Sequence, residues 1–287
     1  MGIDPGSKKE AYTVKSEAHT YLNVQADAVT WVKEAEGTST QMRRTRRSRK
    51  MPYRPCRTNR RQGQFRLPPS TRARWSWKLR LCAWLARYYP IAAFVVEDIA
   101  AVTKPRKRRW NTSFSPLEVG KQWFYEQLGR LALVHTRKGY ETKTDRDRLG
   151  LKKSKQKLSD DFSAHCVDSW VLANCHVGGH TAVDNIAMLY IVPLRFHRRQ
   201  LHMLQPAKGG LRRAYGGTRS LGFKRGSWVK HPKWGVGYVG GTSDGRISLH
   251  ALQDGRRLCQ NAKPADLVLL CTSSWRIRKG EAASSVA

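Results

Sequence analysis

The spacing of apolar side chains divides the chain into strands, three helical stretches and a β-rich end. Residues 2–35 hold two β-prone runs, GIDPGSKKEAYTVKS and HTYLNVQADAVTWV, joined by a tight turn. In PPSTRARWSWKLRLCAWLARYYP the spacing changes to that of a helix. Ser70 or Thr71 is placed to cap it, Trp75, Leu79, Cys82 and Ala86 form an apolar stripe, and Pro90 ends it. IAAFVVED is short and β-branched, and predicts a buried strand that finishes on acids. SPLEVGKQWFYEQLGRLAL predicts a helix opened by a capping box, with Ser115 as cap, Pro116 in the first turn and Glu118 reaching back. LGLKKSKQKLSDDFSAHCVDSWVLAN predicts a basic loop running into a third helix, and NIAMLYIVP a strand. From Leu194 onward, short β-prone runs alternate with glycine turns, as in a small antiparallel barrel, so a domain boundary is expected near 194. The fold class is α/β.

Charge changes the picture most. The 287 residues carry 54 Lys and Arg against 21 Asp and Glu, a formal net charge of +33 and a pI near 10.6. That is the footprint of a nucleic-acid binder. A membrane surface would also attract such a chain, but no apolar run approaches the ~18 residues of a spanning helix, and no signal peptide is visible. Residues 37–96 hold no acid and 16 Lys or Arg. Within them, MRRTRRSRKMPYRPCRTNRR predicts a helix of about two turns surrounded by Arg43, Arg44, Arg46, Arg47, Arg49 and Lys50, ended by Pro52 and Pro55. The six cysteines form no C-x-x-C pair, which disfavours a zinc ribbon and predicts reduced, partly buried thiols of a cytosolic protein.

Against this background three acids stand apart. Asp4 ends the first strand, Glu97 ends an apolar strand, and Asp168 follows His165 by three residues on one helix face. Carboxylates from two strand ends and a helix suit a pair of divalent cations that need hard oxygen ligands. Taken singly, each has a plainer reading: Asp-Pro-Gly as a turn, Glu-Asp as a solvated strand end, and His-x-x-Asp as a surface pair. Asp98 follows Glu97 directly, and Asp161 is read one turn before His165 on the same helix face.

The order of GIDPGS, the arginine-rich tract, FVVED and AHCVDSWVLA resembles the IscB/IsrB family of transposon-encoded, RNA-guided nucleases. GIDPGS resembles the first RuvC motif, FVVED the second and AHCVDSWVLA the third. RRTRRSRK…YRPCRTNRR resembles the family's arginine-rich bridge, and GGLRRAYGGTRSLGFKRGSWVKH the start of its C-terminal module. The resemblance implies an RNase H-like (RuvC) core with an arginine-rich bridge helix and a small β-barrel-like C-terminal module. The parts are RuvC-like part I at 1–36, the bridge at 37–69, parts II and III at 70–193, and the module at 194–287.

It also implies metal ligands at Asp4, Glu97 and Asp168, with His165 as general base or transition-state stabiliser. By the same resemblance, Asp98 and Asp161 rank behind these as substitutes. Two Mg2+ ions are expected, with Mn2+ able to substitute. RNA or heteroduplex contacts fall to Arg43, Arg44, Arg46, Arg47, Arg49, Lys50, Arg54, Arg57, Arg60 and Arg61. Reading of flanking DNA falls to Arg212, Arg213, Arg219, Lys224 and Arg225. The implied activity is nicking of the displaced, non-target strand, with a guide (omega) RNA and double-stranded DNA as partners. The protein would be a monomer in a cytoplasmic, nucleoid-associated prokaryotic ribonucleoprotein. The 67 residues between Glu97 and His165 hold one histidine, His135, and no cysteine, too few for an HNH centre, which points to the IsrB branch. The family carries a short N-terminal domain before its first motif, whereas this chain starts at the motif, as a truncated or natural minimal form would. Two other classes fit the residues: a guide-independent, structure-specific nuclease or transposase, and a non-catalytic RNA-binding protein.

Overall fold

A computed structural model describes residues 1–48, 67–99, 117–178, 182–196, 204–205, 210–211 and 217–279. The described chain divides into two compact units, the first running from Met1 to Met188 and the second starting at Leu189. The division falls slightly before the boundary expected near 194.

In the first unit, the opening segment forms three strands where two were expected: β1 (Gly2–Asp4), β2 (Lys9–Lys15) and β3 (Thr20–Asp27). The Asp-Pro-Gly turn interrupts the first predicted run. Gly6 donates its N–H to the Asp4 carbonyl at 3.1 Å. A side chain at Gly6 would collide with the Lys9 carbonyl, so the turn needs glycine there. β4 (Ala93–Asp98) lies parallel to β1, with Ile3 beside Val96, and β5 (Leu133–Lys138) lies parallel to β4. The strands thus run in the order β3-β2-β1-β4-β5, an antiparallel meander continued by two parallel strands. The unit is a mixed α/β structure.

Among the described residues, five helices accompany these strands. α1 (Trp31–Ser48) spans 18 residues and starts well before the two-turn helix expected around Arg43. Its side chains are mostly exposed. Residues 49–66, including Pro52 and Pro55, lie outside the described residues. α2 (Pro69–Leu85) has Pro68 at its cap and a proline in its first turn, so neither Ser70 nor Thr71 caps it. A proline suits a first helical turn, where an N–H has no intrahelical partner. Its buried face is Thr71, Trp75, Trp77, Lys78, Leu81, Cys82 and Leu85. Trp75 and Cys82 of the expected stripe lie on it, and Leu79 and Ala86 sit at its margin.

α3 (Lys121–Leu128) starts after Gly120, which adopts a φ of 86°. The helix thus starts later than the cap expected at Ser115. Ser115 and Pro116 lie outside the described residues, and Glu118 pairs with Lys121 at 3.0 Å. The pattern also missed β5 and α4 (Gly139–Arg148), because both are too exposed and polar to show a strong apolar period. α5 (Cys166–Val177) is the predicted third helix, the most apolar in the unit, with Cys166, Val167, Trp170 and Val171 in one core with Ala11, Phe162 and Met188.

β6 (Met188–Pro193), all but its first residue in the second unit, is followed by the short strands β7 (Leu204–Gln205), β8 (Gly210–Leu211), β9 (Arg219–Ser220) and β10 (Phe223–Lys224). A five-stranded antiparallel sheet then forms from β11 (Trp228–His231), β12 (Gly235–Ser243), β13 (Arg246–Ala251), β14 (Arg257–Ala262) and β15 (Val268–Cys271), in the order β14-β13-β12-β11-β15. Val229, Val239, Ile247 and Leu249 form its core. β16 (Trp275–Lys279) returns to pair with β6. Cys82, Cys166 and Cys259 are buried free thiols, Cys175 and Cys271 are partly buried and free, and Cys56 lies outside the described residues.

Candidate active site

Parallel pairing of β1 and β4 sets Asp4 and Glu97 side by side at the ends of adjacent strands. Alternation along β4 turns Glu97 and Asp98 to opposite faces. α5 reaches this corner because Gly2 has no side chain. A Cβ at residue 2 would fall 1.9 Å from the Ser169 carbonyl oxygen. Thr13 and Ser169 share a hydrogen bond at 2.8 Å, and Trp170 Nε1 donates to Thr20 Oγ1 at 2.9 Å, fixing the helix on the meander. Asp168, in the first turn of α5, is thereby buried beside the two strand ends.

The carboxylates differ in state. Burial alone pushes the Asp4 carboxyl up, but the hydrogen bond from His165, the Lys153 and His165 charges and a hydrogen bond from Glu97 hold it below the ordinary carboxylate range. Glu97 moves the other way, to about 8, through burial and then the charges of Asp4 and Asp168. The proton retained by Glu97 is the one it donates to Asp4. Gly139 lies against this carboxyl, since a Cβ there would meet Glu97 Oε1 at 3.2 Å.

Asp168 is held by two cations. Arg146 Nη1 donates to its Oδ1 at 2.6 Å, and the Lys153 ammonium donates to its Oδ2. Burial opposes the Lys153 charge, yet the fields of Asp4, Asp168 and Glu97 raise its pKa above the usual lysine range. The loop carrying Lys153 is tied to the strands through Lys9, which bonds the Leu158 carbonyl at 2.6 Å and Asp160 at 2.7 Å, and through Gln25, which bonds the Ser159 carbonyl at 2.9 Å. Arg146 and Lys153 were not singled out in the sequence. The polar stretch ETKTDRDRLGLKKSK carries no pattern that separates them from their basic neighbours.

His165 caps α5 rather than lying within it. Its Nδ1 lies 3.4 Å from Asp4 Oδ2 and its Nε2 2.9 Å from the Lys157 carbonyl, so the ring bridges two acceptors. Asp161 precedes the helix and accepts from the Ser159 hydroxyl, so it is not one turn before His165 on α5. Asp98 is committed elsewhere. Lys121, Lys138 and Tyr125 donate to it, and although burial opposes them, the two lysines hold its pKa down to about 2.

Among the described residues, no group of three or more His, Cys, Asp or Glu side chains is gathered as a metal cage. The carboxylates feel one another's charge, but the Lys153 ammonium satisfies Asp168 in their midst. The carboxylates offer oxygen donors only, and the mutual repulsion that keeps Glu97 protonated is what a hard divalent cation would relieve.

Of the predicted RNA contacts, Arg43 and Arg44 lie exposed on α1, and Arg46 and Arg47 belong to the same helix. Arg43 Nε donates to the Ser39 carbonyl at 3.2 Å. Arg49, Lys50, Arg54, Arg57, Arg60 and Arg61 lie outside the described residues. In the second unit, Arg219, Lys224 and Arg225 are described, and Arg212 and Arg213 lie outside. Residues 1–111 match the model of the RRXRR protein family, a domain found in IscB/IsrB-type proteins. Arg43-Arg44-Thr45-Arg46-Arg47 spells that motif within the matched stretch. No curated protein matches the chain.

Proposed function

We propose that the chain is an RNA-guided, Mg2+-dependent DNA nickase of the IsrB type, built on an RNase H-like core. The observation that carries this reading is the convergence of Asp4, Glu97 and Asp168, with His165 on Asp4, from two adjacent parallel strand ends and one helix. The strand order β3-β2-β1-β4-β5 supports the core assignment, and the matched RRXRR segment supports the family.

Asp4, Glu97 and Asp168 would hold the metal, as carboxylate oxygens suit Mg2+. When bound, such ions polarise the phosphodiester and activate water. Asp4 orients His165 through Nδ1, and the Lys157 carbonyl fixes the ring from the other side, so the imidazole is set to hold or pass a proton at the site's edge. Arg146 and Lys153 keep Asp168 aimed at the strand ends. α1 presents arginines for phosphate backbone contacts, for which the guanidinium fork is suited. The second unit would read duplex DNA beside the target.

A second reading has one observation behind it. Asp168 is satisfied by Arg146 and Lys153, as in a structural ion-pair cluster of a non-catalytic RNA-binding protein. The deciding experiment uses a supercoiled plasmid with a matched target, the RNA that co-purifies with the protein, and Mg2+. Nicked circles with breaks confined to the displaced strand are expected. Intact plasmid supports the non-catalytic reading, and cleavage without RNA supports a guide-independent nuclease.

A further inference from the structure

The second unit holds a cavity that the active site does not use. It has about 420 Å³ of room, within the range of small-ligand sites, and opens between β12, β13 and β14. A shift in strand register between Val239 and Thr242 lies at its wall, and such bulges re-aim side chains. Tyr238 and His250 face each other across β12 and β13 with their rings stacked 5.1 Å apart. Gly240 makes room for this imidazole, since a Cβ there would come within 2.6 Å of His250 Nε2.

On another wall the Arg225 guanidinium lies over the Phe196 ring at 4.8 Å. Gly226, at a φ of 89°, lets the chain turn behind that pair. Arg257 and Gln260, both exposed on β14, form the rim, with Arg257 Nη1 donating to Gln260 Oε1 at 3.2 Å. The lining therefore combines aromatic rings, a stacked guanidinium, a side-chain amide and a cationic rim.

We propose that this cavity takes one unpaired nucleobase of a single-stranded nucleic acid, stacked among Phe196, Tyr238 and His250, with the adjoining phosphate at Arg257. In a duplex the faces of each base are covered by its neighbours, so only an unstacked base offers a face to rings that line a recess. Arg225 and Gln260 carry the donors and acceptor that meet base edges. Burial, then the Arg257 and Arg225 charges, pushes His250 below the usual histidine range, although the Gly255 carbonyl opposes them. A neutral ring stacks on a base without adding a phosphate contact. The proposal rests on the nucleic-acid half of the reading above and needs neither its metal nor its guide.

The test is run on the full chain in a chelating buffer with no guide RNA. A short single-stranded DNA carrying 5-iodouracil is cross-linked in excess unlabelled duplex, which occupies other basic surfaces, and the adducts are mapped by mass spectrometry. Adducts at Phe196, Tyr238 or His250 are expected, and adducts confined to other segments overturn the proposal. Affinity for the strand is then measured across a salt series. His250→Ala should weaken binding about 5- to 150-fold with the salt slope unchanged, as removal of one base stack does, and His250→Phe should restore it. The exposed change Arg257→Ala should lower the slope by about 0.7, the amount expected when one single-strand phosphate is no longer neutralised. If His250→Ala and Arg257→Ala, both verified as folded, bind like wild type, the cavity does not hold a base. Failure of plasmid nicking with these results intact counts against the nuclease reading alone.

Discussion

Glu97 should make the metal-free protein less stable as pH rises. Its ordinary value is 4.5, and in the folded chain burial and the charges of Asp4 and Asp168 move it to about 8. Below pH 4.5 the carboxyl is protonated whether the chain is folded or not, and it contributes no penalty. Between 4.5 and 8 the unfolded chain has released this proton and the folded one retains it, so folding becomes less favourable by up to about 1.4 kcal/mol per pH unit. From pH 5 to 8 the ceiling is about 4 kcal/mol, and sharing of the proton with Asp4 brings the measured figure below it. The assay is urea unfolding in EDTA at pH 5, 6, 7 and 8 for wild type and Glu97→Gln. Glutamine cannot ionise, so the variant should gain on wild type steadily across this window. Mg2+ at pH 8 should then stabilise wild type and leave the variant nearly unmoved. Parallel stability curves for the two proteins, or equal responses to Mg2+, would refute the reasoning that Glu97 belongs to a crowded carboxylate site.

Three further outcomes are expected. Asp4→Ala should abolish nicking and leave nucleic-acid affinity by electrophoretic shift within about twofold of wild type, since P–O chemistry and backbone binding use different surfaces. Lys153→Met should lower metal-free stability by about 1–3 kcal/mol, less than a fully buried pair because Lys153 is 29% exposed and Arg146 remains, and calorimetry should show tighter Mg2+ binding. Replacing Arg43 and Arg44 with Gln should reduce the slope of log affinity against log salt by about 0.7–0.9 for each phosphate the helix no longer neutralises, with helicity by circular dichroism unchanged.

Strong apolar period made much of the first unit legible. The buried run ending at Glu97 and the apolar helix carrying Asp168 were both found, because each must bury nearly all of its surface. β5 and α4 were not, since the strand is exposed along most of its length and the helix buries only Thr142 and Asp145. The same weakness concealed Arg146 and Lys153. Their importance comes from where α4 and the following loop meet α5, a long-range fact that one more basic residue in a basic stretch cannot announce. Asp4 was visible only as an acid among cations. What makes it a site is the parallel register with β4, and that depends on residues more than ninety positions away. His165 was read as part of the helix, but it stands at the cap, where it is free to turn toward Asp4.

The close seat of α5 on Gly2 has a consequence for how the protein is made. Asp168 leaves the ribosome 164 residues after Asp4. At about 5–20 residues per second, that interval lasts roughly ten to thirty seconds. The hairpin of β1 and β2 can zip locally in this time, but one flank of β1 stays open until β4 emerges, and its upper face stays bare until α5 arrives. A nascent or prematurely terminated chain therefore exposes arginine-rich helix α1 long before it assembles the three carboxylates. Under the function proposed above, such a chain would meet nucleic acid before the groups that act on it come together.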